Sequence, residues 1–266
     1  MNQIAIKDII DRKRKNGKKI VVLTAYDFPF AKLVDQAGVD IVLVGDSVGM
    51  VCLGYDSTVP VTMRDMLYHV KAVSRAVKHA LIVADMPFGS YDTVERTLRN
   101  AKRLIQQSGA NAVKLEGGSF VLDQVKALVG SGCPVMGHVG MTPQTASQLG
   151  GYKVQGRNPE DAERLVKEAQ ALERAGVFSI VLECIPASLS EQITKILKIP
   201  TIGIGAGPST DGQVLVLHDM LGFESSVKPR FVRRYAELSN TVVDAIRKYS
   251  EDVRDGEYPT LDESFQ

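Results

Sequence analysis

AGVDIVLVGD, residues 37–46, decides how this chain is read, because its parts recur as SGANAVKLEG at 108–117 and AGVFSIVLEC at 175–184. Each copy carries a small residue, a glycine, an apolar run and an acid seven or eight positions after the glycine: Asp46, Glu116 and Glu183. The glycine suits a helix C-cap, where the backbone turns left-handed before the next element. The apolar run reads as a parallel strand buried on both faces. Repeated units of this kind build an alternating α/β barrel, in which catalytic groups sit where the strands end.

Outward from these copies, Val- and Ile-rich runs ended by Gly, Asp or Pro fall near 19–26, 39–46, 80–85, 110–116, 133–139, 177–184, 199–204 and 213–218. Helical patterns separate them. Thr62 with Asp65, Asp92 with Glu95 and Ser188 with Glu191 have capping-box spacing, and Asn158 before Pro159, Glu160 and Asp161 reads as a cap with proline in the first turn. Residues 4–15 are expected to form a helix closing the barrel bottom, 230–250 a long final helix, and 250–266 a polar tail without periodicity. Eight strands alternating with helices predict a (β/α)8 TIM barrel. Such barrels reach 266 residues as one domain, so residues 1–266 are read as a single domain with an N-terminal capping helix.

The balance of 32 basic and 31 acidic residues provides no field for nucleic acid or an anionic membrane, which points to small-molecule partners. Cys52, Cys133 and Cys184 are scattered without a CxxC, which argues against a disulfide framework and suits a reducing compartment. The N-terminus lacks the apolar core of a signal peptide, and no run approaches the about 20 apolar residues of a membrane span. A cytoplasmic protein is expected.

The strand ends carry the candidate chemistry. IVLVGDS stops on Asp46 and Ser47, LIVAD on Asp85, AVKLE on Lys114 and Glu116, VMGH on His138, SIVLE on Glu183 and VVLTAYD on Asp27. With Ser188, Ser119, Thr62 and Asp92 expected to cap the helices that follow, Asp46, Asp85, Glu116 and Glu183 are free for a functional cluster. Residues two apart share a strand face, so Glu116 is expected beside Lys114, Asp85 on the face of Val83, Asp46 on that of Val44 and Glu183 on that of Val181. A lysine inside an apolar strand needs an anion, so Lys114 is expected among carboxylates and against a substrate carboxylate or oxyanion.

Four carboxylates and one lysine leave three negative charges in excess, which a cation would neutralise. Oxygen ligands without paired His or Cys favour magnesium, with Asp46 and Asp85 as direct ligands and Glu116 reaching the ion directly or through water. His138 is read as donating a hydrogen bond to a substrate oxygen, and His69 and His79 as surface residues. In IPTIGIGAGPSTDG the glycines at 203, 205 and 207 suit either phosphate binding by backbone N–H groups or close packing against substrate or cofactor.

TAYDFPFAKLVDQAGVDIVLVGDSVGMVCLGYDSTVPVTMRDMLYHVKAV, ADMPFGSY, AVKLEGG, PVMGHVGMTPQ, VLECIP and IGIGAG, in this order, closely resemble the ketopantoate hydroxymethyltransferase family from about residue 4 to 250. The resemblance implies a barrel of the phosphoenolpyruvate/pyruvate superfamily. It implies transfer of a one-carbon unit from methylenetetrahydrofolate to 3-methyl-2-oxobutanoate (α-ketoisovalerate), giving ketopantoate and tetrahydrofolate in the route to pantothenate and coenzyme A. It also implies one Mg2+ per subunit and a homodecamer of two pentameric rings. Carried over by motif, Asp46 and Asp85 resemble the magnesium ligands, Glu116 a further ligand through water, Ser47 and Lys114 contacts to the keto acid, and Glu183 the proton acceptor. A magnesium-dependent C–C lyase on the same barrel is the nearest rival, but the KKCGH-type loop of those enzymes is absent. A non-catalytic keto-acid binder would not need Glu183, since binding alone needs no base.

Overall fold

All eight runs form strands. In a computed structural model that describes residues 3–15, 17–146, 150–151, 153–223 and 229–265, β1 (Ile20–Thr24), β2 (Ile41–Val44), β3 (Leu81–Asp85), β4 (Ala112–Lys114), β5 (Val135–Gly140), β6 (Ser179–Glu183), β7 (Thr201–Ile204) and β8 (Gly212–Leu215) close a barrel in chain order. Every pairing is parallel, and β8 closes on β1 with Val214 opposite Val22. A closed parallel barrel leaves no edge strand, and all its strands start at one end and finish at the other.

Alternate residues of the strands fill the interior. Ile41 and Leu43, Leu81 and Val83, Met136, Val181 and Ile202 belong to one buried cluster. Ile9 joins them from α1 (Ile6–Arg14), so the first helix closes the bottom as expected. Polar groups at that end serve as straps: Arg12 of α1 pairs with Asp40 before β2, and Lys13 Nζ lies 2.7 Å from Asp211 before β8.

The helices begin where local chemistry allows. α2 (Phe28–Gln36) is capped by Asp27, whose carboxylate accepts from Phe30 N–H, so this strand-end acid is structural. α4 (Met63–Ala76), after the short α3 (Val48–Val51), starts with the Thr62/Asp65 capping box, and α7 (Pro159–Ala175) starts on Asn158 with Pro159 next. Three caps differ from expectation. α5 (Val94–Lys102) is capped by Thr93, one residue later than predicted, which leaves Asp92 to pair with Arg96. α8 (Ala187–Ile196) begins straight after Pro186 and takes Ser188 inside it, while Glu191 pairs with Lys195. Ser119 does not cap α6 (Leu122–Gly130) either; it opens a 3-10 turn ahead of it.

By internal contacts the chain divides into two compact units, residues 1–216 and 217–266. The second holds α9 (Leu217–Met220) and α10 (Leu238–Asp255). The expected featureless tail from residue 250 is corrected here. Apolar spacing through Tyr249 and Val253 carries the helix on to Asp255, Gly256 stops it with φ +74°, and Thr260 caps a further 3-10 turn. Among the described residues no helix is long and apolar enough to cross a membrane.

Candidate active site

The C-terminal ends of β2 to β6 bring together five charged side chains and a histidine. Asp46, Asp85, Lys114, Glu116, His138 and Glu183 are all buried. Lys114 Nζ lies 3.3 Å from Asp85 Oδ1, 3.7 Å from Glu116 Oε1 and 3.1 Å from His138 Nδ1. On the other edge of its ring, His138 Nε2 is 3.2 Å from Glu183 Oε2. An ammonium group can only donate, so His138 Nδ1 accepts from Lys114 and the ring proton sits on Nε2. That Nε2 is buried without a hydrogen-bond partner among the described residues, because the Glu183 oxygen lies off the hydrogen-bond line.

Strand alternation delivers most of these groups. Asp85 follows Leu81 and Val83 inward, Lys114 follows Ala112, His138 follows Met136 and Glu183 follows Val181. Asp46 is the exception. Its supposed face-mate Val44 lies outside the interior cluster that contains Ile41 and Leu43, so alternation alone would aim Asp46 away from the axis. The strand ends at Val44, and the turn through Gly45 swings Asp46 back, with its N–H donating to Asp85 Oδ2 at 3.0 Å. A Cβ on Gly45 would sit 2.8 Å from Ser47 Oγ, so a side chain there would push the Ser47 hydroxyl aside. Ser47, half-buried beside it, shares a 2.8 Å hydrogen bond with the Tyr26 hydroxyl.

Glycine conformation also positions Glu183. Met141 N–H donates to the Glu183 carbonyl at 2.9 Å, an approach made possible by Gly140 at φ +101°, where a Cβ would stand 2.2 Å from that oxygen. The next residue, Cys184, holds a left-handed φ of 46°. Other expectations resolve differently. Of the 203–207 glycines, Gly207 packs against the start of α8, where its Cβ would lie 2.5 Å from that of Ala187, while a Cβ on Gly203 would stand 2.7 Å from Thr210 Oγ1. His69, read as a surface residue, is half-buried, with Nδ1 2.7 Å from the Tyr26 carbonyl.

Gln144 and Tyr91 escaped the sequence reading. Gln144 is buried in the turn after β5; its Nε2 donates to Asp46 Oδ2 at 2.7 Å and to the Met86 carbonyl at 2.9 Å, and its N–H donates to Glu116 Oε2 at 3.0 Å. The Tyr91 hydroxyl bonds Gln144 Oε1. The signal was present in PVMGHVGMTPQ and ADMPFGSY, but an amide in a loop has no period to mark it.

Crowding of like charges in a dry site governs protonation. Burial raises the Asp46 pKa well above the usual carboxylate range, and Asp85 and Glu116 reinforce the rise. Burial lifts Glu116 to about 7 against the pull of Lys114, and lifts Glu183 to about 8. Burial works against the Lys114 charge, but Asp85, Glu116 and Asp46 outweigh it and raise its pKa. His138 is held well below its ordinary value by burial and by Lys114, so it is neutral.

Three acids each have one oxygen committed: Asp46 Oδ2 to Gln144, Asp85 Oδ2 to Asp46 N–H and Glu116 Oε2 to Gln144 N–H. Asp85 Oδ1 is buried and accepts no hydrogen bond among the described residues. No three His, Cys, Asp or Glu side chains form a ready-made metal cage among the described residues. Single oxygens from separate acids, around an excess of negative charge, fit a hard cation that keeps part of its water shell.

Acids, a buried lysine and a neutral histidine at the C-terminal mouth define the chain as a (β/α)8-barrel enzyme. A crystal structure of 2,3-dimethylmalate lyase, a PEP mutase/isocitrate lyase superfamily member, superposes with a TM-score of 0.64 at 16% identity, over 100% of this chain and 89% of that one. The likeness is one of fold, a closed barrel of eight parallel strands with helices between them. Residues 3–261 match the family model for ketopantoate hydroxymethyltransferase. A 3-methyl-2-oxobutanoate hydroxymethyltransferase of Thermus thermophilus is 53% identical over 255 residues, covering 96% of this chain and 98% of the relative. Its counterpart in Ignicoccus hospitalis is 55% identical over 260 residues, covering 97% and 98%. The chain belongs to the ketopantoate hydroxymethyltransferase family, whose members are transferases.

Proposed function

We propose that this enzyme transfers a hydroxymethyl group from methylenetetrahydrofolate to 3-methyl-2-oxobutanoate, giving ketopantoate and tetrahydrofolate for pantothenate and coenzyme A synthesis. The relatives' names support the acceptor. The observation that carries the mechanism is the segregation of Glu183: it lies across His138 from Lys114, while Asp46, Asp85 and Glu116 share hydrogen bonds with one another or with Gln144.

Asp46 and Asp85, with Glu116 directly or through water, hold Mg2+. When bound, Mg2+ supplies positive charge that stabilises the enolate form of the keto acid. Lys114 and Ser47 bind the keto acid's oxygens, and the N–H on His138 Nε2, on the ring edge away from Lys114, is a further donor to them. Glu183 takes the proton from the carbon next to the keto group; burial, by raising its pKa to about 8, strengthens it as a base near neutral pH. The electron pair left behind forms the new C–C bond to the folate's methylene carbon. That carbon is freed first: water adds to it, its C–N bonds break with the water's two protons going to the folate nitrogens as tetrahydrofolate leaves, and the formaldehyde oxygen becomes the hydroxyl once the enolate has added and the proton held by Glu183 is returned.

A working place in the cytoplasm and a homodecamer of two pentameric rings complete the reading. The apolar face of α10 supports self-association, since that helix buries none of its residues and exposes Val242, Val243, Ile246, Tyr249 and Val253. The reaction is tested by mixing enzyme, keto acid and methylenetetrahydrofolate before and after stripping divalent cations. Ketopantoate should form only with the cation restored; full activity after thorough chelation contradicts the assignment of Asp46, Asp85 and Glu116.

A further inference from the structure

Gln144 touches two of the three acids through two different groups, which is more than packing requires. Its Nε2 carries two hydrogens, and both neighbours within reach, Asp46 Oδ2 at 2.7 Å and the Met86 carbonyl at 2.9 Å, can only accept. The amide therefore has one orientation. Oε1 faces Tyr91, whose hydroxyl must donate to it. The backbone N–H of the same residue takes Glu116 Oε2 at 3.0 Å. One loop residue thus occupies one oxygen of Asp46 and one of Glu116, and leaves the other oxygen of each outside its own hydrogen bonds, with Glu116 Oε1 turned toward Lys114 Nζ at 3.7 Å.

We propose that Gln144 is a positioning residue for the cation site, locked by Tyr91: it fixes the rotamers of Asp46 and Glu116 so that one oxygen of each serves the cation and its water. The proposal rests on the magnesium reading above and adds to it a cause for the donor set. Partners that orient metal-binding carboxylates typically set affinity within one to two powers of ten. Loss of the amide would let Asp46 rotate and would strand the Met86 carbonyl in the dry site.

The test is Mg2+ and Mn2+ binding by titration calorimetry on the whole enzyme, without substrate, alongside thermal melting in chelator to read folding separately. Gln144→Met fills similar volume without donors and should weaken both cations by on the order of 10-fold or more. Tyr91→Phe should weaken them several-fold on its own and add nothing in the Gln144→Met background, because it acts through the amide. A folded Gln144→Met with wild-type affinity overturns the proposal. So does a Tyr91→Phe effect that is absent, or that adds in full to Gln144→Met; this arm decides the matter if Gln144→Met does not fold. A wild type that binds neither cation sinks the magnesium reading itself, which distinguishes that failure from this one.

Discussion

Glu183 shows how burial turns an ordinary carboxylate into a base. Removed from water and opposed only in part by Lys114, its pKa stands at about 8 in place of 4.5. The folded protein therefore binds a proton that the unfolded chain has released across that interval, and the stability this provides is complete below pH 4.5 and lost as pH rises to about 8. In chelator, the melting temperature of the wild type should fall more steeply between pH 5 and 8 than that of Glu183→Gln, which cannot titrate. Parallel curves would show that Glu183 keeps its solution pKa. Lys114 is set by the same contest with the opposite outcome, since three acids outweigh its burial and keep it charged.

Among the elements, strand ends and the glycines beside them do the aiming. Gly140 lets Met141 N–H reach the Glu183 carbonyl, and a Cβ at that φ collides with it. Gly140→Ala should cost about 2 kcal/mol or more in stability and reduce turnover, whereas removing the Asp27 cap should cost about 1 kcal/mol and leave turnover intact. Denaturant unfolding with steady-state rates checks the contrast; equal activity losses would dissociate Gly140 from the base. The strands were legible because buried parallel strands are written as continuous apolar runs, and Gly38, Gly109 and Gly176 do adopt positive φ before three of them. Even the Asp46 exception was present in the spacing: eight residues separate it from its glycine, against seven for Glu116 and Glu183, a change of parity that the turn at Gly45 absorbs. Gln144 was not legible, because it meets Asp46 across 98 residues of chain. Caps shifted by a residue where two adjacent side chains, Asp92 and Thr93, both suit the position.

Across the whole molecule, the two ends of the barrel use the same residue types for different purposes. At the bottom, Asp40 and Asp211 are matched by Arg12 and Lys13 of α1; at the mouth, four acids face one lysine, and stability is given up for chemistry. The α10 unit adds an uncovered apolar face, and sedimentation velocity should find ten copies of the 28.9 kDa chain moving together; a monomer at micromolar concentration would contradict the decamer. The central claim is that a buried Glu183 removes a proton from the keto acid beside a cation site. Release of tritium from C3 of labelled 3-methyl-2-oxobutanoate into water, with Mg2+ and without folate, tests it most directly. The wild type should release tritium, and Glu183→Gln, still binding keto acid and cation by calorimetry, should do so on the order of 100-fold more slowly or worse. Release by Glu183→Gln at the wild-type rate would contradict the account.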